Sequence, residues 1–175
     1  MKQVLFDRSG TVHVDEVPAP VASPGRVLIR VTHSVISTGT ETAEYNVGSV
    51  ASQVASNPQL GSKVWARIRH VGIRDAAFRV QERLNERTPR GYSGSGIVLS
   101  VGEGVDDLSP GDRVAYGGEP HAEIVSAKRS LVARLPDGAP LDQAAMTTLA
   151  SISLHGLRLA ETSLGETVVV IGLGL

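Results

Sequence analysis

Val168-Val169-Val170-Ile171 runs directly into Gly172-Leu173-Gly174, and no other stretch constrains the fold of this chain as much. Four consecutive branched apolar residues have no polar face. A strand made of them needs cover on both sides, as the strands of parallel sheets have. In a Gly-x-Gly that follows such a strand, the first glycine permits a tight strand-to-helix turn. The second lets the backbone approach a phosphate, while the next helix offers its N-terminal amides. The expectation is the opening of a dinucleotide-binding turn, with Gly172 and Gly174 as cofactor-binding residues. On these residues alone, an ordinary turn after an apolar run stays open. The third glycine, the helix and the acidic ribose partner of the full fingerprint do not occur within the 175 residues.

The rest of the chain has a different character. Over residues 1–36, Val12 and Val14 alternate with His13 and Asp15, which places His13 toward solvent if the valines face the core. Ser23-Pro24-Gly25 is a turn, and Val27-Leu28-Ile29-Arg30-Val31 a strand. Between 42 and 90 the period changes. Leu60, Val64, Ile68 and Val71 make a helical stripe, and a second helix is expected from about 75 to 86, ended by Pro89. Residues 91–135 return to short strands. Gly96-Ile97-Val98-Leu99-Ser100-Val101, Arg113-Val114-Ala115, Glu123-Ile124-Val125 and Ser130-Leu131-Val132 are separated by turn chemistry, and Ser109-Pro110-Gly111-Asp112 suits a type II turn. Short strands at this spacing suggest a small barrel or sandwich rather than a parallel sheet. After Pro136-Asp137-Gly138, Pro140 and Asp142 suit the first turn of a helix. From Ala144 to Ala160 apolar residues fall on nearly every face, the pattern of buried helices, and His155 among them reads as a core histidine.

Composition narrows the chemistry. The chain has no cysteine, which removes disulfides, thiolate-bound zinc, iron–sulfur clusters and cysteine nucleophiles together and suits a cytoplasmic location. At this length about 70% of the unfolded surface can be buried without a covalent or metal staple. No apolar run reaches the roughly 18–20 residues of a membrane span, so no membrane partner is expected. From Lys63 to Arg90 eight basic residues face three acidic ones, which leaves −6 on the remainder of a chain whose net charge is −1. A solvated helical face explains that block. With aromatics at 3%, base stacking has few platforms and no nucleic-acid partner is expected. The five histidines form no pair at helical spacing, so no metal clasp is read.

Several blocks occur together in one order: Ser23-Pro24-Gly25-Arg26-Val27-Leu28-Ile29-Arg30-Val31, Gly91-Tyr92-Ser93-Gly94-Ser95-Gly96-Ile97-Val98, Val101-Gly102-Glu103-Gly104-Val105, Pro110-Gly111-Asp112-Arg113-Val114, Leu135-Pro136-Asp137-Gly138 and Leu164-Gly165-Glu166-Thr167-Val168-Val169-Val170. In that order they resemble the medium-chain dehydrogenase/reductase, or alcohol dehydrogenase-like, family. The resemblance implies a mainly β chain with some helix. A GroES-like, partly open β-barrel would span residues 1–135 and carry a helical insertion at about 42–90. Linking helices and the first strand of an incomplete Rossmann domain would follow over 136–175. It also implies an oxidoreductase that moves hydride between NAD or NADP and a small carbonyl, alcohol or enone, with these residues inactive alone. A non-enzymatic GroES-like binding module is the alternative, and a second copy of the chain is admitted as a partner.

The site implied by the resemblance departs from the zinc-dependent members. They carry a cysteine in the turn after the early strand and a Gly-His-Glu before the second block. Here Ser37 or Thr38 stands in the first place and Tyr92 in the second. Neither is a good zinc ligand at neutral pH. The four-cysteine structural lobe is also absent, since Tyr116-Gly117-Gly118 leads directly to His121-Ala122-Glu123-Ile124. A zinc-independent member with no metal site is inferred. Gly39-Thr40-Glu41 matches the family's Gly-Thr-Asp, and the Thr40 hydroxyl would relay a proton to or from the substrate oxygen. Satisfying a turn backbone is its other use. Tyr92 either donates into the cleft or packs there. Glu41 reads as a structural carboxylate. The 42–90 segment resembles an insertion in a subgroup fused to a glucose–fructose oxidoreductase-type domain.

Overall fold

The computed structural model describes residues 1–7, 10–37, 39 and 87–172. The expected helices between 42 and 86, Thr38, Thr40, Glu41 and Gly174 lie outside them. The chain divides into two compact units, one of Met1–Val4, Val14–Ser37 and Pro89–Leu175, the other of Leu5–His13 and Thr38–Thr88.

The first unit is built on one antiparallel sheet. Strands β3 (Arg26–Ser34), β5 (Ser93–Val101), β6 (Arg113–Gly117), β7 (Ile124–Lys128) and β8 (Val132–Arg134) lie in the order β7-β3-β5-β6-β8. The sheet curls into a half-barrel. Period-2 alternation decides which residues form its core. On β3, Val27 and Ile29 are wholly buried while Arg30 is exposed. Val98, Val114, Tyr116, Val125, Ala127 and Val132 complete the cluster, and Val105 and Leu108 close it from the loop after β5. The Ser109–Asp112 turn forms as its residues predict. Asp112 N–H donates to the Ser109 carbonyl at 3.1 Å, and Gly111 takes φ +94°, which type II geometry reserves for glycine. The opposite face of β5 carries Ser93 and Ser95. Both are buried, and their hydroxyls donate to the carbonyls of Ala145 and Leu141, tying helix α1 (Leu141–Ala144) to the sheet.

A smaller sheet joins β1 (Lys2–Phe6), β2 (Val12–Glu16) and β4 (Thr88–Pro89) in the order β2-β1-β4. Within the second unit, the hairpin end is held by Asp7. Its carboxylate accepts the Thr11 amide at 3.0 Å and lies 2.9 Å from His13 Nε2.

Four expectations are corrected. On β2 the valines face outward, and His13 is half-buried against Asp7. Alternation is symmetrical, and here a carboxylate partner selects the inner face. Pro89 lies in strand β4, and the helix expected to end there falls outside the described residues. Ser130 and Leu131 form a 3₁₀ turn (Arg129–Leu131) ahead of β8. Helix α2 (Thr147–Leu159) forms, but it is exposed from Ala150 onward, His155 included. Only its start packs, on β5 and β6. Residues 168–171 join no sheet among the described residues and stand exposed. A strand needs a neighbour to hydrogen-bond, and an apolar helix needs a second layer. The described residues supply neither.

Candidate functional site

Of the expected catalytic residues, Tyr92 is among the described residues and Thr40 is not. Tyr92 sits at the entry to β5, and its backbone is held along the loop after β6. Gly118 N–H donates to the Tyr92 carbonyl at 2.8 Å, and His121 N–H to the Arg90 carbonyl at 2.7 Å. On the other side, Val35 N–H donates to the Ser93 carbonyl at 3.0 Å, which brings the end of β3 to the same place. The Tyr92 hydroxyl is buried and finds no hydrogen-bond partner among the described residues. Ser37, at one expected zinc-ligand place, is half-buried in the segment after β3.

Three residues that sequence reasoning did not assign to the site stand beside Tyr92 on these elements. Ser34 Oγ lies 2.9 Å from His121 Nδ1, and the imidazole is 5% exposed. Tyr116, across from Gly94 on β6, has a buried hydroxyl that also lacks a partner. Burial, with the Glu119 carboxylate adding to it, pushes the Tyr116 phenol well above its ordinary range, so it stays a donor. Glu119 is itself raised by burial, and Arg26 at 2.7 Å offsets that only in part. Ser34 and His121 are 87 residues apart, so no local pattern could announce the pair. The one available signal was His121 lying in the same loop as the quoted Tyr116-Gly117-Gly118.

Among the described residues, no group of three or more His, Asp or Glu side chains is placed to hold a metal ion. Gly172 takes φ +93°, a left-handed conformation that favours glycine, and a Cβ there would meet nothing within 4 Å.

The curled antiparallel sheet with its closing loop and packed helix is the GroES-like fold of medium-chain dehydrogenases and reductases. The chain resembles a quinone oxidoreductase from Coxiella burnetii with a TM-score of 0.66 and 22% identity, over 94% of this chain and 46% of that one. It resembles 2R,3R-butanediol dehydrogenase from Bacillus subtilis with a TM-score of 0.60 and 21% identity, over 90% of this chain and 46% of the other. In sequence it is 25% identical to (R,R)-butanediol dehydrogenase of Neisseria gonorrhoeae over 99% of its own length and 52% of that protein. It is 30% identical to galactitol 1-phosphate 5-dehydrogenase of Escherichia coli K12, over 48% of this chain and 33% of the relative. The chain thus spans about half the length of the butanediol dehydrogenases it matches. No protein-family model matches it. Among the described residues, no helix is long and apolar enough to cross a membrane.

Proposed function

We propose that these residues are the substrate-binding and catalytic part of an NAD(P)-dependent oxidoreductase that acts on a small alcohol, carbonyl or enone. Residues 1–135 would form the GroES-like domain, and 136–175 the link to a cofactor domain. The observation that carries this reading is the alignment of 99% of the chain on one half of a butanediol dehydrogenase. A nicotinamide cofactor supplies hydride chemistry when bound. Phosphate binding needs a helix N-terminus and an adjoining parallel strand. Among the described residues no helix N-terminus follows a parallel strand, so on this reading they bind no dinucleotide by themselves.

The chain's own part is to hold the substrate oxygen. On this reading the Tyr92 hydroxyl, buried and without a partner among the described residues, donates to that oxygen. Thr40 occupies the position that exchanges a proton in the resembled family. Residue type supports zinc independence, since the hydroxyls of Ser37, Thr38 and Tyr92 are poor zinc ligands beside thiolate and imidazole. The resemblance of the insertion to that of proteins fused to a second oxidoreductase domain would make sugar derivatives suitable substrates.

Calorimetric titration with NADH and NADPH tests the reading, run on this chain and on the product of its whole reading frame. Affinity weaker than about 1 mM for the 175 residues, with binding and hydride transfer by the whole product, is the expected result. Micromolar binding by the 175 residues overturns the assignment of the cofactor to the other half. Elemental analysis after gel filtration is expected to find below about 0.1 zinc per chain, and stoichiometric zinc refutes the zinc-free site.

A further inference from the structure

The loop after β6, residues 118–123, is gripped through its main chain from several sides. Gly118 N–H donates to the Tyr92 carbonyl, and His121 N–H to the Arg90 carbonyl. The His121 carbonyl accepts from Val4 N–H, and the Glu123 carbonyl from Val31 N–H, both at 2.9 Å. Gly91 lies flush against the same loop. A Cβ there would come within 2.7 Å of the His121 nitrogen and 2.9 Å of the Pro120 backbone. The segment Arg90–Tyr92 therefore shifts only if the loop shifts.

Between the Gly118 and His121 bonds stand Glu119 and Pro120. Proline has no N–H to give, and the Glu119 side chain supplies the anchor for this stretch. Its carboxylate lies 2.7 Å from Arg26 Nη2, with the Glu119 side chain 17% exposed and that of Arg26 29%. Arg26 is fixed in turn. Its guanidinium also donates to the Ser126 hydroxyl at 3.2 Å and to the Ser126 carbonyl. Lys128 from β7 and the Tyr116 phenol from β6 are close enough to feel the Glu119 charge. His121 and Glu123 are the other ionisable groups of the loop.

Such a pair is a poor source of stability. Burial raises the Glu119 carboxyl above its ordinary value of 4.5 despite Arg26 and Lys128. Charging it thus costs the folded chain more than the two cations return. What a half-buried ion pair of this kind still supplies is a fixed position.

We infer that the Arg26–Glu119 pair is a pH-sensitive latch. With Glu119 charged, it clamps residues 118–121 to β3 and pins Arg90–Tyr92. Protonation of Glu119 releases both. Arg26 keeps its Ser126 bonds in either state, so only the loop side lets go. The device needs no bound ligand and stands apart from the oxidoreductase reading.

The test is backbone amide hydrogen exchange of the ¹⁵N-labelled chain, followed by nuclear magnetic resonance at about pH 7 and about pH 4.5. Each rate is divided into the intrinsic rate of an unfolded amide at the same pH to give a protection factor. The Gly118 and His121 amides are expected to lose about tenfold in protection at the lower pH, the difference between a charge-assisted and a neutral hydrogen bond. The Val98 amide, which donates to the Asp112 carbonyl, should keep its protection and report that the body stays folded. Glu119→Gln should show the lower loop protection at both pH values, and Arg26→Gln should do the same from the other side. Arg26→Lys keeps the charge and should keep the pH dependence. If Arg26→Gln disturbs β3, the isosteric Glu119→Gln decides the matter. Unchanged protection of Gly118 and His121 in Glu119→Gln overturns the latch. So does a pH dependence that survives in that variant, which would assign the release to another group such as His121. Loss of protection at Val98 in step with the loop also overturns it, because the opening is then global.

Discussion

Strand β3 and residues 168–171 are built from the same kind of residue, yet one is the centre of the molecule and the other is bare. Ile29 is 0% exposed and Ile171 is 96% exposed. The difference lies in neighbours. β3 is hydrogen-bonded on both edges, to β5 and β7, and its inner side chains share a core cluster with those of β5, β6, β7 and β8. Residues 168–171 have no paired strand among the described residues. Hydrophobicity supplies a tendency to be covered, worth about 1.5–3 kcal/mol for a large apolar side chain. Only a partner surface turns that tendency into stability.

The largest test of this contrast is a pair of truncations. Ile29→Ala is expected to lower unfolding stability by about 2–5 kcal/mol, through lost transfer energy and the cavity left behind. Ile171→Ala should change it by less than about 0.5 kcal/mol. Urea denaturation followed by circular dichroism reads both. A cost above about 1 kcal/mol at Ile171 would mean that this segment is packed in solution, and the contrast would break.

A second test stays inside the body. Gly94→Ala puts a methyl group against the Tyr116 phenol and the His33 carbonyl, and a loss of about 1–3 kcal/mol is expected from overpacking. Combining it with Tyr116→Phe frees the space taken by the phenol oxygen and should recover part of that loss. No recovery would show that the His33 carbonyl, and not the tyrosine, sets the limit.

How much of this was legible in the sequence depends on how local each cause is. The Ser109–Asp112 turn was readable because proline and glycine act on their own dihedrals. The strands around Val27 and Val98 were readable because alternation is a local pattern. The side to which β2 turns His13 was not, because alternation is the same from either face and Asp7 decides it from across the hairpin. The exposure of α2 was not readable either, since an apolar helix announces a need for cover without naming its source. At the site, Tyr92 could be singled out from its place in a family motif. Ser34, His121 and Tyr116 could not, because cross-strand register and the path of the loop after β6 bring them together.

The exposed segments give a third, smaller effect. Ile152, Leu157, Leu159, Val169 and Ile171 leave large apolar surfaces open to water, a recognised driver of association. Sedimentation velocity of the 175-residue chain is expected to show concentration-dependent self-association. Ile171→Lys together with Val169→Lys should weaken it by about tenfold, or about 1.4 kcal/mol. A monomer at all concentrations would show that these side chains find cover within the chain, which would erase the contrast from the other direction.

The smallest effect separates the two regions by pH. In the body, the Arg129 side chain hydrogen-bonds Asp107 and the Arg134 side chain hydrogen-bonds Asp112, and both carboxyls are held below the usual range. A depressed carboxyl contributes stability that is complete above the unfolded value of about 4 and is lost as pH falls through the folded value. Glu119 runs the opposite way. Burial raises it, so its charged form is penalised in the folded chain. That penalty is complete above the raised value and absent below about 4.3. Acidification from neutrality should therefore bring a slight gain in Tm from Glu119 and then a decline from Asp107 and Asp112. Asp107→Asn with Asp112→Asn should flatten the decline, and Glu119→Gln should remove the gain. Both aspartate pairs are exposed, so high salt should shrink their part of the profile. The stability difference between the parent chain and Ile171→Ala should not vary with pH, because that side chain touches no titrating group of the body. A pH-dependent difference would place residues 168–171 against the charged face of the sheet.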